Sequence, residues 1–185
     1  MKRLIHKLAA AGLFPEYSLY RIYEMPSGVP QPPGDSVRPA GAELFAAHSS
    51  PELRELAPYA GDGAHGFGAF TAEGELGSGC WFWTGRRLAR RGWGSLPPDA
   101  TELVQINTAS GFRGRGLAVS LIRHGGSRMR ELGFRRVFAR VWHSNEASVR
   151  AFTKAEWSYT SFFIALGPLH LIFPRRGLPR RTVFE

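Results

Sequence analysis

The stretch from Glu102 to Gly133 limits the fold of this chain more than any other part of the sequence. Its first seven residues, Glu-Leu-Val-Gln-Ile-Asn-Thr, predict a strand that ends at Thr108. A glycine-bearing turn follows, and a helix is predicted over Leu117–Leu132, with Gly133 where a left-handed C-terminal cap is wanted. A strand that leads through a turn into a helix indicates a mixed α/β fold.

Similar patterns on both sides of this stretch predict the rest of the fold. Residues 26–39 hold five prolines and two glycines and are predicted to form a loop. The other predicted strands are Tyr17–Met25, Gly66–Thr71, Gly79–Trp83, Arg136–Trp142, Tyr159–Leu166 and Leu169–Phe173. The other predicted helices are Ala42–Tyr59, broken near Ser49-Ser50-Pro51, and Asn145–Lys154, with Asn145 as its N-cap. The order predicts an α/β (α+β) sheet, antiparallel in its first half and parallel in the middle.

Length and composition limit the organisation and the partners of the chain. Its 185 residues fit one domain, 1–185, with residues 1–14 as an N-terminal extension and 175–185 as a basic tail. A net charge of +9 favours anionic partners. The single cysteine, Cys80, excludes a disulfide within one chain and a cysteine-based zinc site, which is consistent with the cytoplasm. No transmembrane segment is predicted, and a homodimer is left open.

The turn between the predicted strand and helix has the composition of an anion-binding loop. The first N–H groups of a helix lack internal partners and lie at its positive end, so a diphosphate can accept hydrogen bonds from them. Glycines allow phosphate to approach the backbone, and arginines add charge. The loop residues are Arg113, Gly114, Arg115, Gly116, Leu117 and Ala118. The alternative from these residues alone is a tight turn with solvated arginines.

In these residues the chain resembles the GNAT acetyltransferases, whose Arg/Gln-x-x-Gly-x-Gly/Ala loop binds the pyrophosphate of coenzyme A. A second match lies downstream, where Asn145, Ser148 and Phe152 follow the spacing of the family's Asn-x-x-Ala-x-x-x-Tyr segment. The resemblance covers roughly residues 102–163, about a third of the chain.

The resemblance implies a fold and a cofactor site. The fold would have a central, mostly antiparallel sheet of six to seven strands, splayed between the fourth and fifth, with about four helices around it. Acetyl-CoA or another acyl-CoA would bind the loop, and no metal is expected. Its pantetheine arm would lie between the splayed strands and bond the backbone of Ile106, Asn107 and Thr108. Asn145 and Phe152 would also belong to the cofactor site.

An amine that attacks a thioester must be neutral, so the reaction needs a proton acceptor. Glu102 is the first candidate, because it matches the position of the glutamate base in histone-type members of the family. His143 is the second, since histidine titrates near neutral pH. The alternatives are a solvated carboxylate and a surface histidine.

The proton donor is a departure from the family, because Phe152 stands where many members have a tyrosine. Ser148, Ser144 or Tyr159 are the candidate replacements, and the thiolate could also leave unaided.

The sequence therefore predicts an N-acyltransferase that uses acyl-CoA and an unidentified amine. An acidic acyl-carrier protein is an alternative donor that would dock on two arginine clusters. These are Arg86, Arg87, Arg90 and Arg91, and Arg175, Arg176, Arg180 and Arg181. A CoA-binding or interaction domain with little turnover is a second alternative. Nucleic-acid binding is a third, although no recognisable motif for it accompanies the charge.

Overall fold

A single mixed sheet forms the centre of the molecule. The computed structural model describes residues 17–27, 36–91, 96–166 and 169–174. Within them the sheet has eight strands in the order β2-β3-β4-β5-β6-β1-β7-β8. The strands are β1 Tyr17–Glu24, β2 Val37–Pro39, β3 Ala64–Phe70, β4 Leu76–Thr84, β5 Ala100–Thr108, β6 Arg136–Trp142, β7 Ser158–Leu166 and β8 Leu169–Pro174. The predicted mixed, mostly antiparallel sheet is confirmed, with one strand more than expected.

The extra strand is β2, in a stretch that the sequence predicts to be a loop. It pairs with β3 from Val37↔Ala69 to Pro39↔Phe67. Val37 is only 3% exposed and packs into the core. Proline is tolerated in β2 because this strand lies at the edge of the sheet.

Helices cover both faces of the sheet. They are α1 Ala42–Ala46, α2 Pro51–Arg54, α3 Gly85–Ala89, α4 Leu117–Ser120, α5 Gly126–Glu131 and α6 Glu146–Lys154, with short 3₁₀ turns at Ala57–Tyr59 and Ser110–Phe112. The π-helical turn Leu121–Gly125 joins α4 to α5, so the helix predicted after the glycine loop is confirmed as one irregular helix. Gly133 follows it with φ +97°, as its cap role predicts.

The strand order puts β1 in the interior of the sheet. β1 is antiparallel both to β6, with Tyr20↔Trp142, and to β7, with Tyr20↔Phe163. The sequence predicts β1 as a strand but says nothing about its neighbours. Among the strands that the structure describes, β5 and β6 form the one parallel pair.

The core lies on the two faces of this sheet. On one face, side chains of α4, α5 and α6, including Phe152 of α6, pack over strand residues such as Phe82 and Leu103. On the other, Phe45 of α1 and Leu53 of α2 lie in a cluster with strand side chains. The helices on both faces fix the ends of β5 and β6, where the candidate site lies.

Some expectations fall outside the described residues. They concern the N-terminal extension 1–14 and the basic tail 175–185. In the part of the chain that the structure describes, none of the helices has the length and apolar character needed to cross a membrane.

We expect Cys80 to be unreactive in the folded protein. The side chain is fully buried in the middle of β4, and burial raises the pKa of its thiol far above the ordinary range. Ellman's reagent should therefore give no rapid colour with the native chain and one equivalent after unfolding in guanidinium chloride. Fast reaction of the native chain would contradict the packing of β4.

Candidate functional site

The strands β5 and β6 separate part of the way along their length. They pair through four residue pairs, from Ala100↔Arg136 to Leu103↔Ala139, and the ladder then stops. β5 continues to Thr108 with only β4 beside it. A gap therefore opens between residues 104–108 of β5 and the end of β6, where the sequence resemblance predicts a splay.

The backbone of β5 offers polar groups to this gap. The carbonyl of Asn107 accepts a hydrogen bond from Ser78 Oγ (2.8 Å), and the N–H of Ala109 donates to the carbonyl of Gly77 (3.0 Å). Both groups thus point toward β4. Because the polar groups of successive strand residues point to opposite sides, those of Ile106 and Thr108 face the gap.

The glycine loop follows β5 after the 3₁₀ turn Ser110–Phe112. Gly114 and Gly116 have φ values of +78° and +81°, in the left-handed region that favours glycine. A Cβ atom at either position would meet no atom within 4 Å, so the space above the loop is open. The glycines are needed for backbone conformation, and the open space leaves the backbone accessible.

The loop has the donors that a diphosphate requires. The first hydrogen bond of the helix runs from the Ser120 N–H to the Gly116 carbonyl (3.0 Å). The N–H groups of residues 114–119 have no acceptor in the described part of the chain. Arg113 and Arg115 are exposed beside them. Unpaired amides, open space and two cations fit the diphosphate of coenzyme A.

Two glutamates at α2, Glu52 and Glu55, contact β5 and the loop that follows it, an arrangement that the sequence analysis misses. The Asn107 Nδ2 donates to the Glu52 carbonyl (2.7 Å) and lies 3.5 Å from Glu55 Oε2. Arg113 forms an ion pair with Glu52 (3.1 Å). The hydroxyl of Ser50, just before α2, donates to the Glu52 carboxylate and accepts no capping hydrogen bond from the backbone of α2. Together with the nearby Arg113, it holds the pKa of Glu52 below its ordinary value. The i, i+3 spacing of the two glutamates was the only sequence signal for this pair.

Glu102 does not face the gap. Its side chain is fully buried, and its carboxylate forms ion pairs with Arg91 and Arg140, each at 3.0 Å. The guanidinium of Arg140 also lies 5.2 Å from the ring centre of Phe163 and 5.8 Å from that of Tyr20. Burial lowers the pKa of Arg140, and the Glu102 carboxylate opposes that shift. We infer that Glu102 joins strands β5 and β6 below the gap, a structural role in place of the predicted base.

The start of α6 holds three of the predicted residues. Asn145 caps the helix as predicted, since its Oδ1 accepts a hydrogen bond from the Ser148 N–H (3.0 Å). His143 follows the open end of β6, with its Nδ1 3.3 Å from the Leu19 carbonyl. His143 and Ser148 are half-buried. Both remain candidates for proton transfer near the gap.

Two predicted residues lie away from the gap. Phe152 is 2% exposed and stacks on Tyr23 at 5.3 Å, so we assign its ring to the core rather than to cofactor contact. Tyr159 pairs with Tyr23, at the level where β5 and β6 are still joined. It lies on β7, which is three strands away from β5 in the sheet. At the usual distance between neighbouring strands, this separates the two strands by roughly 14 Å. Its hydroxyl is therefore a poor candidate for the proton donor.

Comparisons with known proteins agree with this geometry. The sequence profile described as the acetyltransferase (GNAT) family matches residues 35–157, well over half of the chain. None of the curated proteins matches the chain in sequence.

Solved structures of GNAT-family proteins share the fold. One is a GNAT-family protein from Novosphingobium aromaticivorans, with a TM-score of 0.59, 16% identity, and coverage of 87% of this chain and 66% of that one. Another is a GNAT-family acetyltransferase from Colwellia psychrerythraea, with a TM-score of 0.58, 14% identity, and coverage of 92% and 62%. The chain thus spans somewhat less than two thirds of the length of each. At these identities the likeness concerns the fold alone.

Proposed function

The chain belongs to the GNAT acetyltransferase family, and on that premise we propose that it transfers an acyl group from acyl-CoA to an amine. The observation that carries this proposal is the gap between β5 and β6, which opens beside a loop of unpaired backbone amides. Acetyl-CoA is the simplest donor. The acceptor is an amine that approaches from the side of α2.

In this proposal the loop and the backbone of β5 hold the two parts of acyl-CoA. The amides and arginines of residues 113–119 hold the diphosphate, and the backbone of Ile106 and Thr108 holds the arm that enters the gap. Acyl-CoA supplies an activated thioester. A backbone N–H that faces the gap can donate to its carbonyl oxygen as negative charge develops there.

We propose that the Glu55 carboxylate binds the amine and accepts its proton. Glu55 is exposed, and its carboxylate is held near Asn107 of β5, whereas Glu102 is buried between two arginines. A carboxylate in this position also attracts a protonated amine.

His143 and Ser148 lie toward β6 and are the candidates to protonate the departing thiolate.

The direct test is calorimetry with acetyl-CoA and desulfo-CoA, followed by thiol release with a panel of primary amines. We expect acetyl-CoA and desulfo-CoA each to bind, and acetyl-CoA to release thiol when an amine is present. Binding without turnover for any amine would indicate a CoA-binding domain instead. Absence of binding would remove the loop from the cofactor site.

Replacing Glu55 with glutamine should lower kcat/KM for the amine by roughly 10²-fold while CoA affinity stays constant, since general base catalysis contributes on that order. Thiol release measured across pH checks this. Glu43→Gln is the matched control, because Glu43 is an exposed carboxylate in the first turn of α1. A Glu55→Gln variant with the wild-type pH profile would leave Glu55 without a role in proton transfer.

A further inference from the structure

A second groove lies on the sheet, away from the gap. It is bounded by β1, β7 and the last turns of α6 and encloses about 770 Å³. Arg21 and Tyr23 line it from β1, Val149 and Thr153 from α6, and Trp157 and Tyr159 from the start of β7. The groove lies over β1 and β7, and β6 separates these two strands from the gap beside β5. It is therefore distinct from the proposed cofactor site.

Arg21 is the charged group of this groove. It is half-buried, and in the described part of the chain it forms no ion pair with a carboxylate. Its Nε is buried, and no described residue forms a hydrogen bond with it. The guanidinium lies 6.0 Å from the ring centre of Tyr159. Buried donors are normally paired, so this one calls for an explanation.

Trp157 also lines this groove. It is 4% exposed, and its indole Nε1 has no hydrogen-bond partner among the residues that the structure describes. None of the described lining residues is acidic, and hydroxyl side chains, including that of Thr153, are present. The lining of the groove thus carries one positive charge and hydroxyl groups, and no negative charge among the described residues. Val149 and the Tyr159 ring add apolar contact.

We propose that this groove binds a small organic carboxylate with a flat apolar body. The planar guanidinium of Arg21 matches a carboxylate in geometry and charge, because two parallel N–H groups can donate to its two oxygens. The apolar body lies against Val149 and Tyr159. A single charge beside apolar and aromatic side chains favours such an anion over a highly hydrated inorganic one.

The test uses the full chain and the indole N–H of Trp157 as a reporter. The probes are 2-naphthoate, the neutral 2-naphthamide of the same shape, and inorganic phosphate. Proton–nitrogen spectra are recorded with labelled tryptophan, and Trp157→Phe assigns the signal. We expect saturable shifts with naphthoate and affinity weaker by about tenfold or more for the amide and for phosphate. Equal binding of the three probes would overturn the assignment, as would an unmoved Trp157 signal.

Substitutions in the groove test whether naphthoate binds there or at another site. Arg21→Gln should weaken naphthoate binding by about tenfold or more, whereas Arg86→Gln, at an exposed arginine of α3, should not change it. If Arg21→Gln does not fold, Thr153→Trp, which fills the groove from α6, decides in its place. Unchanged affinity in the folded variant would refute the proposal. Saturating desulfo-CoA should leave naphthoate binding intact, and competition between them would place the probe in the gap instead.

Discussion

Replacing Gly116 with aspartate should weaken CoA binding by about 100-fold or more. The residue has φ +81°, where a side chain costs on the order of 1–2 kcal/mol, and its amide belongs to the unpaired set at the helix start. An added carboxylate would also repel the diphosphate at that site. Calorimetric titration with desulfo-CoA measures the effect without interference from turnover.

Two controls separate charge from backbone strain. Gly116→Asn has nearly the same shape, and asparagine tolerates the left-handed region, so its CoA affinity should fall far less than that of Gly116→Asp. Gly133→Asp places the same side chain at φ +97° with open space around it, roughly 25 Å further along the helix. It should leave CoA affinity unchanged. Equal affinities for Gly116→Asp and the wild type would exclude the loop from the cofactor site.

Replacing Glu102 with glutamine should destabilise the protein by about 3–5 kcal/mol, because it leaves buried guanidinium groups without their counter-charge. The Arg140 side chain is 7% exposed, and Glu102 is fully buried. Urea unfolding followed by fluorescence should show a lower midpoint with an unchanged slope.

The matched control is Glu131→Gln, which breaks the exposed ion pair with Arg128 and should change stability by less than about 1 kcal/mol. A folded Glu102→Gln variant of wild-type stability that loses turnover at neutral pH would instead restore Glu102 as the base. The measurement of stability thus tests the structural role of Glu102, and the pH profile of turnover tests its role as the base.

Most of the secondary structure could be predicted from patterns within short segments of the sequence. The strand, the glycine turn and the helix from Glu102 to Gly133 were predictable because each depends on neighbouring residues. Positive φ at Gly114 and Gly116 and the Asn145 cap follow from single residues in short segments. β2 escaped prediction because three residues among prolines carry too weak a local signal, and the partner strand stabilises it.

The site was predictable only in part, for the same reason. The loop and the strand beside it are continuous in sequence. The contact between Glu55 and Asn107 joins residues 52 positions apart, and no local pattern records it. Glu102 had the expected place in its strand, but Arg91 and Arg140 decided its surroundings. Phe152 had the expected spacing in its helix, but packing against Tyr23 placed it in the core.

The sequence by itself determined the mixed α/β fold, the glycine-bearing turn before the helix and the family, because these depend on residue order and backbone preference over short segments. Only the tertiary structure decided that β1 lies between β6 and β7, that β5 and β6 part after Leu103, and which carboxylate is accessible. Strand partners and side-chain burial depend on packing between segments distant in the chain. That packing is a property of the whole folded molecule, which no single segment encodes.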